Sequence, residues 1–153
     1  MVQHWLMKTE PTSYSLADLE RDRTTGWSGV RNYQARNSMQ AMKVGDKVIV
    51  YHSNAAPPGA AGLATVARTA YPDGTAFDKG DHHFDPKSNP EKPTWFQVDL
   101  AYSAAFKRFV PLEELKEDAK LKGLLLTSGK AMQLSVQPVD KAHYERIVKL
   151  GSS

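Results

Sequence analysis

The fold of this chain is decided by the run Lys47-Val48-Ile49-Val50-Tyr51-His52-Ser53, which is rich in β-branched and aromatic residues. Such a run is typical of a buried β-strand. A loop is expected over residues 54–61, and a second apolar run follows over residues 62–68. Three further stretches have strand character, namely residues 4–8, 95–100 and 106–110. The sequence therefore predicts about five strands.

Helices are predicted before and after these strands. Ser15 is an expected N-cap with Asp18 three residues later, and Asn32 is the expected cap of a second helix. Further helical segments are expected to begin at Pro111, Lys120 and Asp140. Because strands and helices do not alternate regularly, a doubly wound parallel sheet is disfavoured. The expected fold is α+β, a small mixed β-barrel with flanking helices.

Two loops are expected to matter. Residues 26–29, Gly-Trp-Ser-Gly, are predicted to form a loop at the entry to the second helix. Residues 71–93 are rich in Pro, Gly and Asp, and this stretch is longer than most connections in a compact domain. We therefore expect the long stretch to be either functional or mobile.

Composition excludes several classes of protein. The 153 residues suit one domain over residues 1–153, and the absence of Cys excludes disulfides, Cys-ligated zinc, iron–sulfur clusters and thiol nucleophiles. No signal peptide is evident, and no apolar stretch approaches the roughly 20 residues of a membrane span. We expect a cytoplasmic protein with no membrane partner. The formal charge of +3 permits a polyanionic partner without requiring one.

The most informative segment for chemistry is Gly26-Trp27-Ser28-Gly29-Val30-Arg31-Asn32-Tyr33-Gln34-Ala35-Arg36-Asn37. The indole of Trp27 can stack on a base, while Asn32 and nearby backbone amides can bind a base edge or a phosphate. The alternative is that Trp27 is a core residue and Asn32 only a helix cap. The residue types alone favour neither interpretation.

One group of side chains in the long loop has metal-ligand chemistry. It consists of Asp78, Asp81, His82, His83 and Asp85. Adjacent histidines are expected to point apart unless the backbone bends, and no second group supplies a scaffold. We expect a polar surface loop, with no metal and no cofactor.

The sequence offers two pairs of side chains for catalysis, and neither belongs to a complete catalytic motif. Lys8 and Glu10 would share one face of a continued strand and could act as an acid and a base, but Pro11 ends the strand, and an ion pair is the alternative. His52 and Ser53 are neighbours at a strand end, so their side chains should diverge. The sequence contains no Walker A loop, no Gly-x-Gly-x-x-Gly turn and no Gly-x-Ser-x-Gly elbow.

Several motifs together resemble the EVE domain family. They are Trp5-Leu6-Met7-Lys8-Thr9-Glu10-Pro11, the run from Trp27 to Asn37 quoted above, Val44-Gly45-Asp46, Tyr51-His52-Ser53 and Leu134-Ser135-Val136-Gln137-Pro138-Val139. Ser28 stands where the family usually has an acidic residue, and Gln133 where it commonly has Arg. The resemblance implies a PUA-like fold, related to the YTH domains that read methylated adenine in RNA.

The resemblance also implies a reader of modified bases. Such a protein would bind DNA or RNA as a monomer and hold a modified cytosine or a methylated adenine in an aromatic-walled pocket. The residues expected at this pocket are Trp27 and Trp95 as walls, Asn32 and Ser53 as hydrogen-bonding side chains, Ser28 and Val30 through their amides, Tyr33 and Lys8 at the rim, and Ser135 from the matching motif. Arg31 and Arg36 are expected either to contact phosphates or to brace the loop.

Two other functions remain open at this point. PUA-like hydrolases of the ASCH type act on modified nucleosides, and here Lys8 and Glu10 would supply the acid and the base. A protein-interaction module would instead expose an apolar patch. A reader should still bind its ligand after Lys8→Ala, whereas a hydrolase should lose rate.

Overall fold

The computed structural model of the protein describes residues 1–129 and 133–153, which form a mixed α+β fold. The strands are β1 His4–Thr9, β2 Thr24–Trp27, β3 Lys47–His52, β4 Gly59–Pro72, β5 Phe96–Pro111 and β6 Val136–Pro138. The α-helices are α1 Leu16–Asp22, α2 Tyr33–Ala41, α3 Leu112–Glu117 and α4 Lys141–Gly151, with 3₁₀ turns at Gly74–Phe77, Ala119–Leu121 and Leu125–Thr127. Within the described ranges, no helix is both long and apolar enough to cross a membrane.

All six strands belong to one sheet, in the order β2-β5-β4-β3-β1-β6. β1 and β3 are parallel, and the other neighbouring pairs are antiparallel. The α+β class is confirmed, whereas closure into a barrel is not. The sheet is open because β2 and β6 lie at opposite edges and, in the described residues, do not pair with each other.

Several strand predictions need correction. The structure has six strands rather than about five, because β6 was not expected, and β4 begins at Gly59, within the predicted loop, and continues to Pro72. Residues 26–29 are not entirely a loop, because Gly26 and Trp27 end β2 and pair with Asp99 and Val98 of β5. Trp27 is the one buried residue of this short edge strand. Its sequence therefore lacks the alternation of apolar and polar residues that would predict a strand. The two strands expected at 95–100 and 106–110 are one 16-residue strand, β5. The 14-residue β4 pairs with it through several shifts of register.

The caps of α1 and α2 follow the prediction, whereas Asp140, which precedes α4, makes no side-chain capping bond. The Ser15 hydroxyl accepts a hydrogen bond from the Asp18 amide at 3.1 Å, and the Asp18 carboxylate accepts one from the Ser15 amide at 2.9 Å. The Asn32 side chain caps α2 by accepting a bond from the Ala35 amide at 2.9 Å. These local bonds fix where α1 and α2 begin, and hence the approach of the chain to the sheet.

Apolar side chains are buried on both faces of the sheet. In β3, Val48 and Val50 pack with residues of α1 and α2, whereas Ile49 and Tyr51 pack with residues of α3 and α4. Successive side chains of a strand point to opposite faces, and here both faces are covered. This arrangement explains why β3 reads as a continuous apolar run.

Candidate nucleic-acid interface

A cleft of about 840 Å³ opens at the carboxyl ends of β1 and β3. These strands are parallel, so their carboxyl ends meet at one edge of the sheet. The lining also includes the end of β2, the loop after it and part of the long loop between β4 and β5. The described lining residues are Lys8, Thr9, Glu10, Ser13, Tyr14, Thr25, Gly26, Trp27, Ser28, Gly29, Val30, Arg31, Ser53, His82, His83, Gln133 and Ser135.

Backbone hydrogen bonds bring distant parts of the chain together at the floor of the cleft. The Lys8 amide donates to the Ser135 carbonyl at 2.8 Å, and the Ser53 amide donates to the Thr9 carbonyl at 2.9 Å. The Lys8 ammonium lies 5.7 Å from the centre of the Tyr51 ring. Burial lowers the pKa of Lys8 below its usual value. The floor therefore combines a half-buried cation with two serines.

Trp27 is both a core residue and a cleft residue. It is 8% exposed and packs with the apolar residues between the sheet and α1 and α2. Tyr14, which also lines the cleft, meets Trp27 edge to face with ring centres 6.4 Å apart and planes at 87°. The Tyr14 hydroxyl donates to Asp22 at 2.8 Å. The two interpretations of Trp27 are therefore compatible.

Residues 28–31, here called the cleft loop, are held by a buried carboxylate. Asp73 is fully buried and accepts hydrogen bonds from the Gly29 amide at 2.8 Å and from Arg31 Nη1 at 3.1 Å. It also accepts bonds from the Thr75 amide at 2.9 Å and the Thr75 hydroxyl at 2.7 Å. Burial favours the neutral acid, but these bonds outweigh it and lower the pKa of Asp73.

The long loop forms a wall of the cleft through His83. Arg31 donates from Nε and Nη2 to the His83 carbonyl at 3.0 and 2.8 Å. Gly29 has a φ of +82°, and a Cβ added there would lie 2.8 Å from the His83 ring. Glycine therefore provides both the left-handed backbone and the room for His83.

A family model describes this combination of motifs: the model for the EVE domain matches residues 3–150. The chain belongs to the EVE domain family. Thymocyte nuclear protein 1 of Homo sapiens is 40% identical over 166 residues, which is 96% of this chain and 73% of that protein.

Solved structures share the fold of this EVE domain along nearly its whole length. A hypothetical protein from Leishmania major is 46% identical, with a TM-score of 0.94 over 99% of this chain and 95% of that one. The human THYN1 protein, solved in complex with 5-methylcytosine-containing DNA, is 39% identical, with a TM-score of 0.93 over 99% of this chain and 98% of that one.

The EVE domain brings together most of the residues proposed from its sequence. Those that line the cleft are Lys8, Trp27, Ser28, Val30, Arg31, Ser53 and Ser135. Asn32, Tyr33, Arg36 and Trp95 are not among the described lining residues. Asn32 is exposed and its side-chain oxygen caps α2, which supports the capping interpretation.

Trp95 does not form the second wall that was expected. Its ring is 6% exposed, and its indole N–H donates to the Asp85 carboxylate at 2.7 Å. Its neighbours are Tyr33, at 4.9 Å between ring centres, and the guanidinium of Arg31 at 5.5 Å. The indole therefore supports the outer side of the cleft loop.

The two arginines brace this part of the fold. Arg31 is engaged by Asp73, Thr75 and the His83 carbonyl. Arg36 Nη1 donates to the Thr94 carbonyl at 3.0 Å, and its other N–H groups bond to the Asn37 side chain. Arg31 and Arg36 were expected either to contact phosphates or to brace the loop. Both side chains make the protein contacts that the bracing role requires.

Sequence reasoning missed several cleft residues. They are Thr9, Ser13, Tyr14, Thr25, His82 and His83. The available signals were indirect: the long loop was expected to be functional or mobile, and Tyr14 lies just before the Ser15 cap.

The side chain of His52 is held by α1. His52 Nε2 accepts a hydrogen bond from the Leu16 amide at 3.1 Å, so His52 is directed to α1 and away from Ser53.

The adjacent histidines do not point apart as expected. The rings of His82 and His83 lie 4.0 Å apart, and His83 Nδ1 lies 3.2 Å from the Asp81 carboxylate. One possible donor atom from each of these three residues falls within 4.8 Å of the others. The same Asp81 oxygen accepts the His83 amide at 2.8 Å, so it already orients His83 against the cleft loop.

Proposed function

We propose that this EVE domain is a nucleic-acid reader that holds one modified base, flipped out of a DNA strand, in the cleft. The observation that carries the proposal is the shared fold with the human relative solved with 5-methylcytosine-containing DNA. The proposed ligand is accordingly a modified cytosine. The domain would act as a monomer, and RNA and methylated adenine are alternatives that the experiment below distinguishes.

The dimensions of the cleft support a base-sized ligand. Its volume of about 840 Å³ lies within the roughly 300–1,000 Å³ typical of small-molecule sites. A flipped nucleotide requires such a concave site, because enzymes and readers that act on one base must remove it from the stack. A flat groove would suit phosphate contacts alone.

The aromatic residues support stacking. Trp27 and Tyr14 stand nearly perpendicular, so a base lying along one ring would meet the edge of the other. Offset and edge-to-face contacts are the favoured aromatic geometries. Because Trp27 is packed in the core, its ring is already fixed when the base arrives. We propose Trp27 as the main stacking surface.

Polar side chains suit the hydrogen-bonding edge of cytosine. Glu10 is exposed at the rim, and one carboxylate oxygen accepts a bond from Asn54 at 2.6 Å. A carboxylate keeps further acceptor capacity and is the preferred partner of the cytosine amino group. Lys8, Ser53 and Ser135 provide donors for the ring acceptors. Methylation leaves this edge unchanged, so the methyl group must be recognised by apolar room, worth about 1–3 kcal/mol.

The test compares binding to short labelled oligonucleotides that carry cytosine, 5-methylcytosine, 5-hydroxymethylcytosine, adenine or N6-methyladenine, as DNA and as RNA, at two salt concentrations. The variants are Trp27→Leu and, as a matched control, Trp5→Leu. Trp5 is 7% exposed in the same core but does not line the cleft. Thermal unfolding of both variants separates loss of fold from loss of binding.

We expect the wild type to prefer a modified cytosine by about 10- to 200-fold over cytosine, in line with the free energy of one buried methyl group. Trp27→Leu should lose this preference, and Trp5→Leu should keep it despite lower stability. Equal and steeply salt-dependent binding to every oligonucleotide, unchanged by Trp27→Leu, would refute the proposal, because phosphate contacts alone behave in that way.

A further inference from the structure

Tyr33 is an exposed aromatic side chain beside the cleft loop. It is 61% exposed, and the other exposed large apolar residues in the described ranges are Met1, Val2 and Val44, none of them aromatic. Tyr33 is the first residue of α2 and follows Arg31, which lines the cleft, by two positions. The Cα atoms of residues 31 and 33 therefore lie within about 7 Å of each other.

The Tyr33 ring is held in place although it is exposed. Trp95 packs against it with ring centres 4.9 Å apart and planes at 30°, and the Arg36 guanidinium lies 4.9 Å from its centre. Trp95 is fixed by its bond to Asp85 and Arg36 by its bond to the Thr94 carbonyl. A ring fixed in advance loses little conformational entropy when a ligand stacks on it.

Tyr33, Arg36 and Trp95 are here called the outer shelf. Arg36 uses three of its five N–H groups in the bonds described above, so the guanidinium keeps donors for an anion. An aromatic ring next to a cation is the combination that binds single-stranded nucleic acid, because every base has a π-face and every nucleotide a phosphate. Neighbouring nucleotides in a strand are only about 3.4 Å apart along the axis of a duplex.

We propose that the outer shelf is a second nucleotide site, where Tyr33 stacks on the base next to the one in the cleft and Arg36 contacts its phosphate. The site takes any unpaired base, so it contributes affinity without selecting the modification. This inference rests on the proposed function of the cleft, because it places the strand across the cleft loop.

The experiment is a coupling test between Tyr33 and the neighbouring base. Binding of wild type, Tyr33→Ala and Tyr33→Phe is measured with oligonucleotides that carry one 5-methylcytosine and, in separate strands, an abasic position on its 5′ side or on its 3′ side. Gln34→Ala, at an exposed non-aromatic neighbour on α2, is the control. Thermal unfolding checks that each variant is folded.

We expect Tyr33→Ala to weaken binding of the intact strand about tenfold, within the range for one base–aromatic stack. Tyr33→Phe and Gln34→Ala should bind like the wild type. An abasic position on one of the two sides should weaken wild-type binding to the same extent, and Tyr33→Ala should then cause no further loss. The ratio of modified to unmodified binding should not change in Tyr33→Ala.

Two results would overturn the second site: unchanged binding by Tyr33→Ala, or an equal loss on intact strands and on both abasic strands. The two proposals fail in different ways. If the wild type shows no preference for the modified base but the coupling between Tyr33 and the neighbouring base is observed, the proposed ligand of the cleft is refuted. The proposal of a second nucleotide site at the outer shelf is then retained. A wild type that binds none of the strands overturns both.

Discussion

Replacing Asp73 by Asn should loosen the cleft loop. The fully buried carboxylate accepts four hydrogen bonds, from Gly29, Arg31 and twice from Thr75. An amide has one acceptor oxygen, and its NH₂ group would face donors. Removing one partner of a buried ion pair costs about 3–5 kcal/mol. Because Arg31 keeps its bonds to the His83 carbonyl, we expect a loss of stability of about 3 kcal/mol, at the lower end of that range.

The effect of Asp73 has a defined pH dependence. Its folded-state pKa lies below the usual value, so its contribution to stability is complete above the pKa of the unfolded chain, about 3.9 for Asp. The contribution is lost as the pH falls through the folded-state pKa. Urea unfolding of wild type and Asp73→Asn should therefore differ most near neutral pH, and the difference should shrink below about pH 4.

Binding separates the effect on the cleft loop from the effect on stability. Asp46 is also buried and accepts bonds from Trp5 Nε1 and the Gln3 and Lys43 amides, away from the cleft. Asp46→Asn should also be destabilised but should bind the modified oligonucleotide within about twofold of wild type, well below the tenfold that 1.4 kcal/mol represents. Asp73→Asn should bind about fivefold more weakly, since ordering one side chain costs about 1 kcal/mol. Equal binding by the two folded variants would refute the reasoning.

Two further predictions concern the cleft. Gly29→Ala and Gly45→Ala both place Ala at positive φ, but only the first presses a Cβ against the His83 ring. Both should lose about 1–2 kcal/mol of stability in urea from the left-handed backbone, with the larger loss in Gly29→Ala. Only Gly29→Ala should weaken modified-base binding, and matching losses of binding would contradict the role of His83. Lys8→Ala should still bind the modified oligonucleotide, and chromatography of a modified nucleoside incubated with the wild type should show no product. Product that forms with the wild type and not with Lys8→Ala would instead establish the hydrolase.

The sequence predicts local features of this fold better than long-range pairing. The caps at Ser15 and Asn32 and the strand β3 are confirmed because each depends on neighbouring residues. The edge strand β2 and the full length of β5 depend on partners far along the chain, which no short window contains. The open sheet likewise depends on which strands remain unpaired at its edges.

The same distinction applies to the cleft. Trp27 and the cleft loop were found because they belong to one continuous motif. Tyr14 and His83 reach the cleft only through the packing of α1 and through the bonds of Arg31 to the long loop. A polar or aromatic residue in an irregular segment has no periodicity to mark it, so its place in a site is visible only in three dimensions.

The contacts of residues in the Trp27–Asn37 motif distinguish side chains that hold this EVE domain together from side chains that are available to a ligand. Asn32 caps a helix, while Arg31 binds Asp73, Thr75 and the His83 carbonyl. These polar groups are already engaged within the protein, so a ligand would have to compete for them. Under the proposed function, recognition would then fall to side chains at the open face of the cleft, such as Glu10, which lines it. Substitutions there should change which base is preferred, whereas substitutions at Arg31 should weaken binding of every base together.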